Sequence, residues 1–109
     1  GSDINIMFGK ILNFKFSSVS EAKLAASFCS EKFGSKISEF NIIGLNIFIS
    51  QSGDLNVSIK FGNPESLKKF ESRYIDIIAD LKGSLVFKEN NFVGVCTFTY
   101  EKEAASTEI

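Results

Sequence analysis

Histidine and tryptophan are absent from this chain of 109 residues, and proline and methionine occur once each. Without histidine the chain lacks the commonest general base and a frequent metal ligand, which excludes Ser-His and Cys-His nucleophile systems and an axial haem histidine in their usual forms. No two carboxylates have the spacing of paired acid–base catalysis or of a metal cage. The sequence therefore predicts no metal site and no cofactor. The catalytic residues, if the protein is an enzyme, stay unknown.

A surplus of positive charge and long apolar runs are also missing. The net charge is -1, with 12 basic and 13 acidic residues well mixed, so we expect no nucleic-acid partner. No apolar run approaches the roughly 20 residues of a membrane span, and the first residues do not resemble a secretion signal. Cys29 and Cys96 lie inside apolar patterns and are interpreted as two buried thiols. We therefore expect a cytoplasmic protein with no membrane partner.

Aromatic and aliphatic side chains are abundant, and their spacing predicts the first elements. Residues 4–16 alternate as a strand, with Lys10 interrupting the apolar row at a bend that we expect to free its amine to solvent. Ser18 and Glu21 form a capping box for a helix that runs to Phe33, with Gly34 as a left-handed cap. The apolar row of the strand comprises Ile4, Ile6, Phe8, Leu12, Phe14 and Phe16. The helix carries a stripe of mostly small residues, namely Ala22, Ala25, Ala26, Cys29 and Phe33.

A hairpin and a second helix follow. Residues 37–50 are apolar on both faces, "QSGD" is a turn, and residues 54–61 alternate cleanly, which predicts two antiparallel strands. Asn63 and Pro64 begin a helix that ends at Gly83. Its apolar stripe is Leu67, Phe70, Tyr74, Ile77, Ile78 and Leu81. Two more strands are predicted at residues 84–88 and 92–100, on either side of a turn at "ENN". We expect one domain over residues 1–101 and a polar tail over residues 102–109.

The element order is strand-helix-strand-strand-helix-strand-strand. Two such halves predict an α+β fold, the ferredoxin-like split βαβ sandwich, with an antiparallel sheet and two helices on one face. A second strand that is apolar on both faces does not suit a half-solvated sheet, because each large side chain left wet costs about 1.5–3 kcal/mol. A second copy of the sheet would cover it, so we expect a homodimer.

The element order and the doubly apolar strand make residues 4–100 resemble the dimeric α+β barrel proteins, in which two ferredoxin-like subunits press their open sheets together. The residue usage is most similar to that of small uncharacterised marine-microbial members. Members with known activity include cofactor-free oxygenases, haem-degrading enzymes and isomerases. Many of them depend on a histidine that this chain lacks, so the resemblance assigns no catalytic residue here.

Three functions are open at this point. The first is a homodimeric barrel whose interior binds a small apolar molecule, such as a lipid or a polyketide-like compound. The second is a cofactor-independent, monooxygenase-like enzyme, and the third is a structural dimerisation module without a ligand. The candidate lining of the interior is Met7, Ile11, Asn13, Ile47, Phe48 and Asn56. The register of the last strand stays open, with either Val93, Val95, Thr97 and Thr99 or Phe92, Cys96, Phe98 and Tyr100 facing the interior.

Overall fold

Two helices pack on one face of a four-stranded antiparallel sheet in the computed structural model, which describes residues 6–102. The sheet order is β2-β3-β1-β4, with the two helices crossing between its edge and central strands, so the predicted ferredoxin-like α+β fold is confirmed. The elements in chain order are β1 (Phe8–Lys15), α1 (Val19–Gly34), β2 (Ile42–Ile49), β3 (Asp54–Phe61), α2 (Pro64–Lys82) and β4 (Lys88–Val95). Ile4 and most of the predicted tail, residues 103–109, lie outside the described residues.

Helix α1 begins as its sequence predicts and ends differently. The Ser18 hydroxyl accepts a hydrogen bond from the Glu21 amide at 3.2 Å, while the Glu21 carboxylate accepts one from Ser17 at 2.7 Å. The predicted left-handed cap at Gly34 is wrong, because Gly34 is the last helical residue and the cap, Ser35, has a right-handed φ of -75°. The small-residue stripe is confirmed in its main part, since its buried residues are Ala22, Ala25, Cys29 and Phe33.

Helix α2 follows its prediction closely. The Asn63 side chain accepts a hydrogen bond from the Ser66 amide at 2.8 Å, and Pro64 is the first helical residue, where no amide hydrogen is needed. Phe70 lies at the centre of the core, with ring centroids 5.2–5.4 Å from those of three other phenylalanines. All six residues of the predicted stripe are buried: Leu67, Phe70, Tyr74, Ile77, Ile78 and Leu81. Within residues 6–102, no helix is long and apolar enough to cross a membrane.

Lys10 is buried under α2, which corrects the expectation that a bend frees it to solvent. Its ammonium nitrogen is 2.8 Å from Glu71 Oε1 and 5.3 Å from the centroid of the Tyr74 ring. The Tyr74 hydroxyl donates to Glu89 at 3.0 Å, and burial, with Glu89 adding to it, raises the pKa of Tyr74 far above its usual value. The apolar row can include a lysine because the helix above supplies a carboxylate to pair with it.

Strand β2 is shorter than predicted and contains a bulge between Ile42 and Gly44. One extra residue in a bulge shifts which alternate side chains face each side. The helix face therefore receives Ile42, Leu45, Ile47 and Ile49, opposite Phe61, Ile59, Val57 and Leu55. Among the paired residues of β2, the open face carries Gly44, Asn46 and Phe48, and Ile43 at the bulge is half exposed. The prediction of large apolar side chains on both faces therefore holds only in part, because Phe48 is the one that the paired residues place on the open face.

The end of the chain forms one strand in place of the two predicted. The "ENN" segment, Glu89 to Asn91, lies inside β4 and pairs with β1. Two of its three polar side chains are given partners there, since Glu89 accepts from Tyr74, is 2.9 Å from the Lys82 ammonium and accepts from Asn91 at 3.4 Å. Polar residues that indicate a turn when taken alone are thus accommodated in an edge strand that α2 covers only partly.

The β2–β3 turn contains a glycine that no other residue could replace without strain. Gly53 has φ of +94°, and an added Cβ would lie 2.7 Å from the Phe16 carbonyl oxygen. The Phe16 amide donates to the Gly53 carbonyl at 2.9 Å, so the turn is tied to the end of β1. Hydrogen bonds from the Ser50 and Ser52 hydroxyls hold the pKa of the neighbouring Asp54 below its usual value.

Candidate functional site

The sheet face away from the helices is organised as rows of residues that run across the strands. Directly opposite residues in antiparallel strands point to the same face, so the pairing registers define each row. The first row, called here the glycine row, is Gly44, Lys60, Gly9 and Gly94. The second row is Asn46, Ser58, Ile11 and Phe92, and the third is Phe48, Asn56, Asn13 and Asn90. A fourth, shorter row is Asp54, Lys15 and Lys88.

These registers decide the orientation of the last strand. Phe92 and Gly94 pair with Ile11 and Gly9 and lie on the open face, whereas Val93 pairs with Lys10 on the helix face. The ladder continues for one bond past β4, because the Cys96 amide donates to the Met7 carbonyl at 2.8 Å. Of the two registers left open by the sequence, the structure takes the one with Phe92 and Cys96 toward the open side.

The glycine row forms a trough at one end of the open face. Gly9 and Gly94 do not have positive φ, and an added Cβ at either position would meet its nearest neighbours only at ordinary distances of 3.7 Å or more. Gly44 differs, because its Cβ would lie 3.1 Å from Lys60 Cδ, so the lysine stem lies across it. Within residues 6–102, neither backbone strain nor crowding therefore requires glycine at Gly9 or Gly94.

An apolar cavity of about 230 Å³ lies over this trough. Gly9 and Gly94 form its floor, and Ile11 and Phe92, adjacent in the second row, form a wall. Lys60 is the one charged residue among the described residues that line the cavity. The complete lining is Gly9, Ile11, Ser58, Ile59, Lys60, Phe92, Gly94, Val95 and Cys96.

The segment after β4, residues 96–102, reaches the far side of the trough. Lys60 donates a hydrogen bond to Thr99 Oγ1 at 2.8 Å, and its ammonium nitrogen is 3.1 Å from Glu101 Oε1. The segment has the alternating β-branched and aromatic residues of a strand, yet it has no strand partner among residues 6–102. Phe98 is 84% exposed and Tyr100 is also mostly exposed.

A chain of hydrogen-bonded polar side chains runs from Ser58, in the second row and the cavity lining, to Asn56 and Asn13 in the third row. The Ser58 hydroxyl donates to Asn56 Oδ1 at 2.9 Å, and Asn56 Nδ2 donates to Asn13 Oδ1 at 2.9 Å. The two amides thus satisfy part of their hydrogen-bonding capacity with each other across β1 and β3. They orient one another at the edge of the cavity without entering its lining.

The structure places the six residues predicted to line the interior in different parts of the fold. Ile11 lines the cavity, and Asn13, Asn56 and Phe48 lie on the same face one row away. Met7 precedes β1 and contributes its carbonyl to the bond with Cys96. Ile47 lies on the opposite face, where it packs against the core, because the β2 bulge sets its orientation.

Eight of the nine lining residues were absent from the predicted set: Gly9, Ser58, Ile59, Lys60, Phe92, Gly94, Val95 and Cys96. The alternation of β3 already places Lys60 on the open face, so its position could have been found from the sequence. Phe92, Gly94 and Cys96 depend on the register between β1 and β4, which no local pattern reveals.

The two cysteines have different environments. Cys29 is buried between α1 and the sheet, and burial raises the pKa of its thiol to about 12. Cys96 is half-buried at the cavity, so the prediction of a buried thiol holds only for Cys29. Over residues 6–102, no group of three or more Cys, Asp or Glu side chains is gathered in a way that could hold a metal ion.

Comparison with known proteins identifies the fold and no closer relationship. No family model matches the chain, and no curated protein matches it. A dimeric ferredoxin-like protein from an uncultured marine organism superimposes with a TM-score of 0.67 at 18% identity, over 89% of this chain and 93% of that chain. A second dimeric ferredoxin-like protein from an uncultured marine organism gives 0.67 at 8% identity, over 87% of this chain and 99% of that one.

A third similar structure is a conserved protein of unknown function from Bacteroides thetaiotaomicron, described as a possible oxidoreductase. It superimposes with a TM-score of 0.62 at 15% identity, over 83% of this chain and 99% of that chain. Identities this low carry the fold and not the activity. The comparisons therefore show a ferredoxin-like fold for this chain and nothing beyond the fold.

Proposed function

We propose that this protein is a homodimer that binds a small, mostly apolar molecule between the open sheet faces of its two subunits. The observation that carries the proposal is the apolar cavity of about 230 Å³ over the glycine row. Two of its floor residues, Gly9 and Gly94, leave space there, although nothing among residues 6–102 would clash with a Cβ at either position. Binding sites for small molecules are typically apolar with a few polar groups, as this lining is.

A second copy is the proposed cover for the cavity and for the aromatic residues around it. Phe48 and Phe92 are exposed on the open face, and Phe98 and Tyr100 are exposed on the segment that follows it. A site that binds a small ligand well encloses most of the ligand surface, which one open sheet face does not do. Two similar solved structures are described as dimeric, which supports the same arrangement here.

The dimer is tested by a matched pair of substitutions. Phe48→Asp places a charge on the open face outside the cavity lining, and Ile75→Asp places one on the outer side of α2, where Ile75 is equally exposed. We expect size-exclusion chromatography with light scattering to show a dimer for the wild type and Ile75→Asp, and a shift to monomer for Phe48→Asp. A wild type that stays monomeric at all protein concentrations would rule out the proposed dimer.

The ligand is tested by filling the trough. Gly94→Val adds a side chain to the floor of the cavity, whereas Asn90→Val adds the same side chain to the same face of β4 outside the lining. Native mass spectrometry of gently purified protein should show a retained small molecule in the wild type and in Asn90→Val. Gly94→Val should lose it while remaining folded. A well-folded dimer without any bound molecule would instead favour the structural dimerisation module.

The monooxygenase-like alternative uses the same cavity. Its support is a similar structure described as a possible oxidoreductase, whose 15% identity carries the fold alone. Oxygen consumption by the purified protein, measured with the molecule that it retains, separates an enzyme from a binding protein. Consumption that is lost in Gly94→Val and kept in Asn90→Val would favour the enzyme.

A further inference from the structure

The structure assigns a ligand class to this cavity: we propose that it binds an amphiphile whose apolar chain fills the trough and whose carboxylate pairs with Lys60 in place of Glu101. The inference rests on the proposed function and adds to it a charged head group. Its basis is the position of one ammonium group at the edge of an otherwise uncharged cavity. An apolar molecule without a charged end would make no use of that group.

Lys60 is positioned by the residues around it. Its stem lies across Gly44, with Cδ 3.1 Å from the place of an added Cβ, so the glycine row lets the side chain lie along the sheet. The side chain is 24% exposed, and its nitrogen reaches Thr99 and Glu101. An ammonium group has three hydrogens to donate, so Lys60 can keep its bond to Thr99 and still donate to a ligand carboxylate that takes the place of Glu101. The charge is therefore held beside the cavity at a defined place.

Glu101 occupies the position that a ligand carboxylate would take. It lies 3.1 Å from the ammonium through one oxygen, and its own side chain is 71% exposed. Exposed ion pairs of this kind contribute little to stability, because the charges remain solvated and flexible. A ligand whose apolar tail is already buried in the cavity holds its carboxylate beside Lys60 with little further loss of conformational freedom. Such a carboxylate therefore competes favourably with Glu101.

The volume of the cavity in one subunit guides the choice of a probe. At about 30 Å³ for each group of the size of a water molecule, a volume of about 230 Å³ holds roughly eight such groups. An eight-carbon chain is therefore a suitable probe. Octanoate carries the carboxylate at neutral pH, and 1-octanol has a similar chain with a neutral head group.

Isothermal titration calorimetry at pH 7.5 with these two probes tests the inference. We expect the wild type to bind octanoate about tenfold more tightly than 1-octanol, the factor expected for one charge-assisted hydrogen bond. Lys60→Met keeps the stem and removes the charge, so the two affinities should become equal. Glu101→Gln removes the internal competitor and should raise the affinity for octanoate severalfold while leaving 1-octanol unchanged.

Lys88→Met is the matched control, because Lys88 lies on the same sheet face in the fourth row and does not line the cavity. It should leave the preference for octanoate intact, which excludes a general effect of net charge. Equal binding of both probes by the wild type, or a preference that persists in Lys60→Met, would overturn the carboxylate inference and leave the apolar cavity standing. Binding of neither probe would count against the cavity itself and so against the proposed function.

Discussion

The two partners of the ion pair between Lys10 and Glu71 are buried to different extents, which predicts different costs for removing each of them. The Lys10 side chain is 7% exposed, whereas the Glu71 side chain is 41% exposed. The two atoms are 2.8 Å apart, but the geometry is not that of a hydrogen bond, and Glu71 Oε1 has no hydrogen-bond partner. The attraction is therefore mainly between charges, and losing one partner should have different consequences on the two sides.

Removing the carboxylate should be the costly change. Glu71→Ala leaves a buried ammonium whose remaining favourable contact is the Tyr74 ring. We expect the free energy of unfolding to fall by about 3 kcal/mol. This is the low end for a broken buried ion pair, because water can enter where Glu71 was exposed. Lys10→Met keeps the apolar stem and leaves a carboxylate whose Oε1 is buried, but whose side chain is 41% exposed and so can turn toward water. We expect it to change the free energy of unfolding by at most about 1 kcal/mol.

Urea denaturation followed by circular dichroism measures this difference. With a slope of about 1.5 kcal/mol/M, a difference of about 2 kcal/mol separates the two midpoints by roughly 1.3 M. All variants should be compared at one protein concentration, because dimerisation would make the midpoint depend on it. The double variant Lys10→Met/Glu71→Ala should be more stable than Glu71→Ala alone. If Lys10→Met proves as destabilising as Glu71→Ala, the reasoning from burial is refuted.

Three other predictions concern the turn and the cysteines. Gly53→Ala should lower the free energy of unfolding by about 2 kcal/mol or more, because the residue has positive φ and its Cβ would strike the Phe16 carbonyl; an unchanged urea midpoint would contradict this. Iodoacetamide at pH 8 should label Cys96 of the native protein far faster than Cys29. The reason is that a pKa of about 12 leaves Cys29 with roughly one thiolate in ten thousand molecules at this pH. Peptide mapping that finds equal labelling of the two cysteines would refute this prediction. Ser50→Ala should raise the pKa of Asp54 toward its usual value of 3.8, as followed by NMR titration. Ionised Asp54 therefore stabilises the native turn above the usual carboxyl pKa, and this stabilisation is lost as the pH falls through the lowered pKa of Asp54 in the folded protein. An Asp54 titration that is unaffected by Ser50→Ala would contradict the assignment.

Predictions from local sequence succeeded where a pattern is long and carries its own end signals. The six-residue stripe of α2 and its Asn63-Pro64 start are properties of one segment, and both are confirmed. The alternation of β3 also holds over all eight residues, with Leu55, Val57, Ile59 and Phe61 buried. These features depend on neighbours in the chain, so the chain alone is enough to find them.

The errors concern features that are decided by a partner distant in the sequence. The β2 bulge depends on how Ile42 and Gly44 pair with β3, and the extent of β4 depends on β1. Lys10 is buried because Glu71, on a helix sixty-one positions later in the chain, reaches it. The cavity lining has the same origin, since Ile11 and Phe92 become neighbours only through the register of β1 and β4.

The glycine row connects these nonlocal registers to the proposed site. Taken singly, Gly9 indicates a bend, Gly44 a bulge and Gly94 a weak point in a strand, and only the registers bring them together. Each glycine inside a strand lowers stability by about 0.5–1 kcal/mol relative to alanine. The stem of Lys60 explains Gly44, but Gly9 and Gly94 together lower stability by about 1–2 kcal/mol with no compensating contact among residues 6–102. A molecule that fills the trough, as proposed above, would offset this loss when it binds.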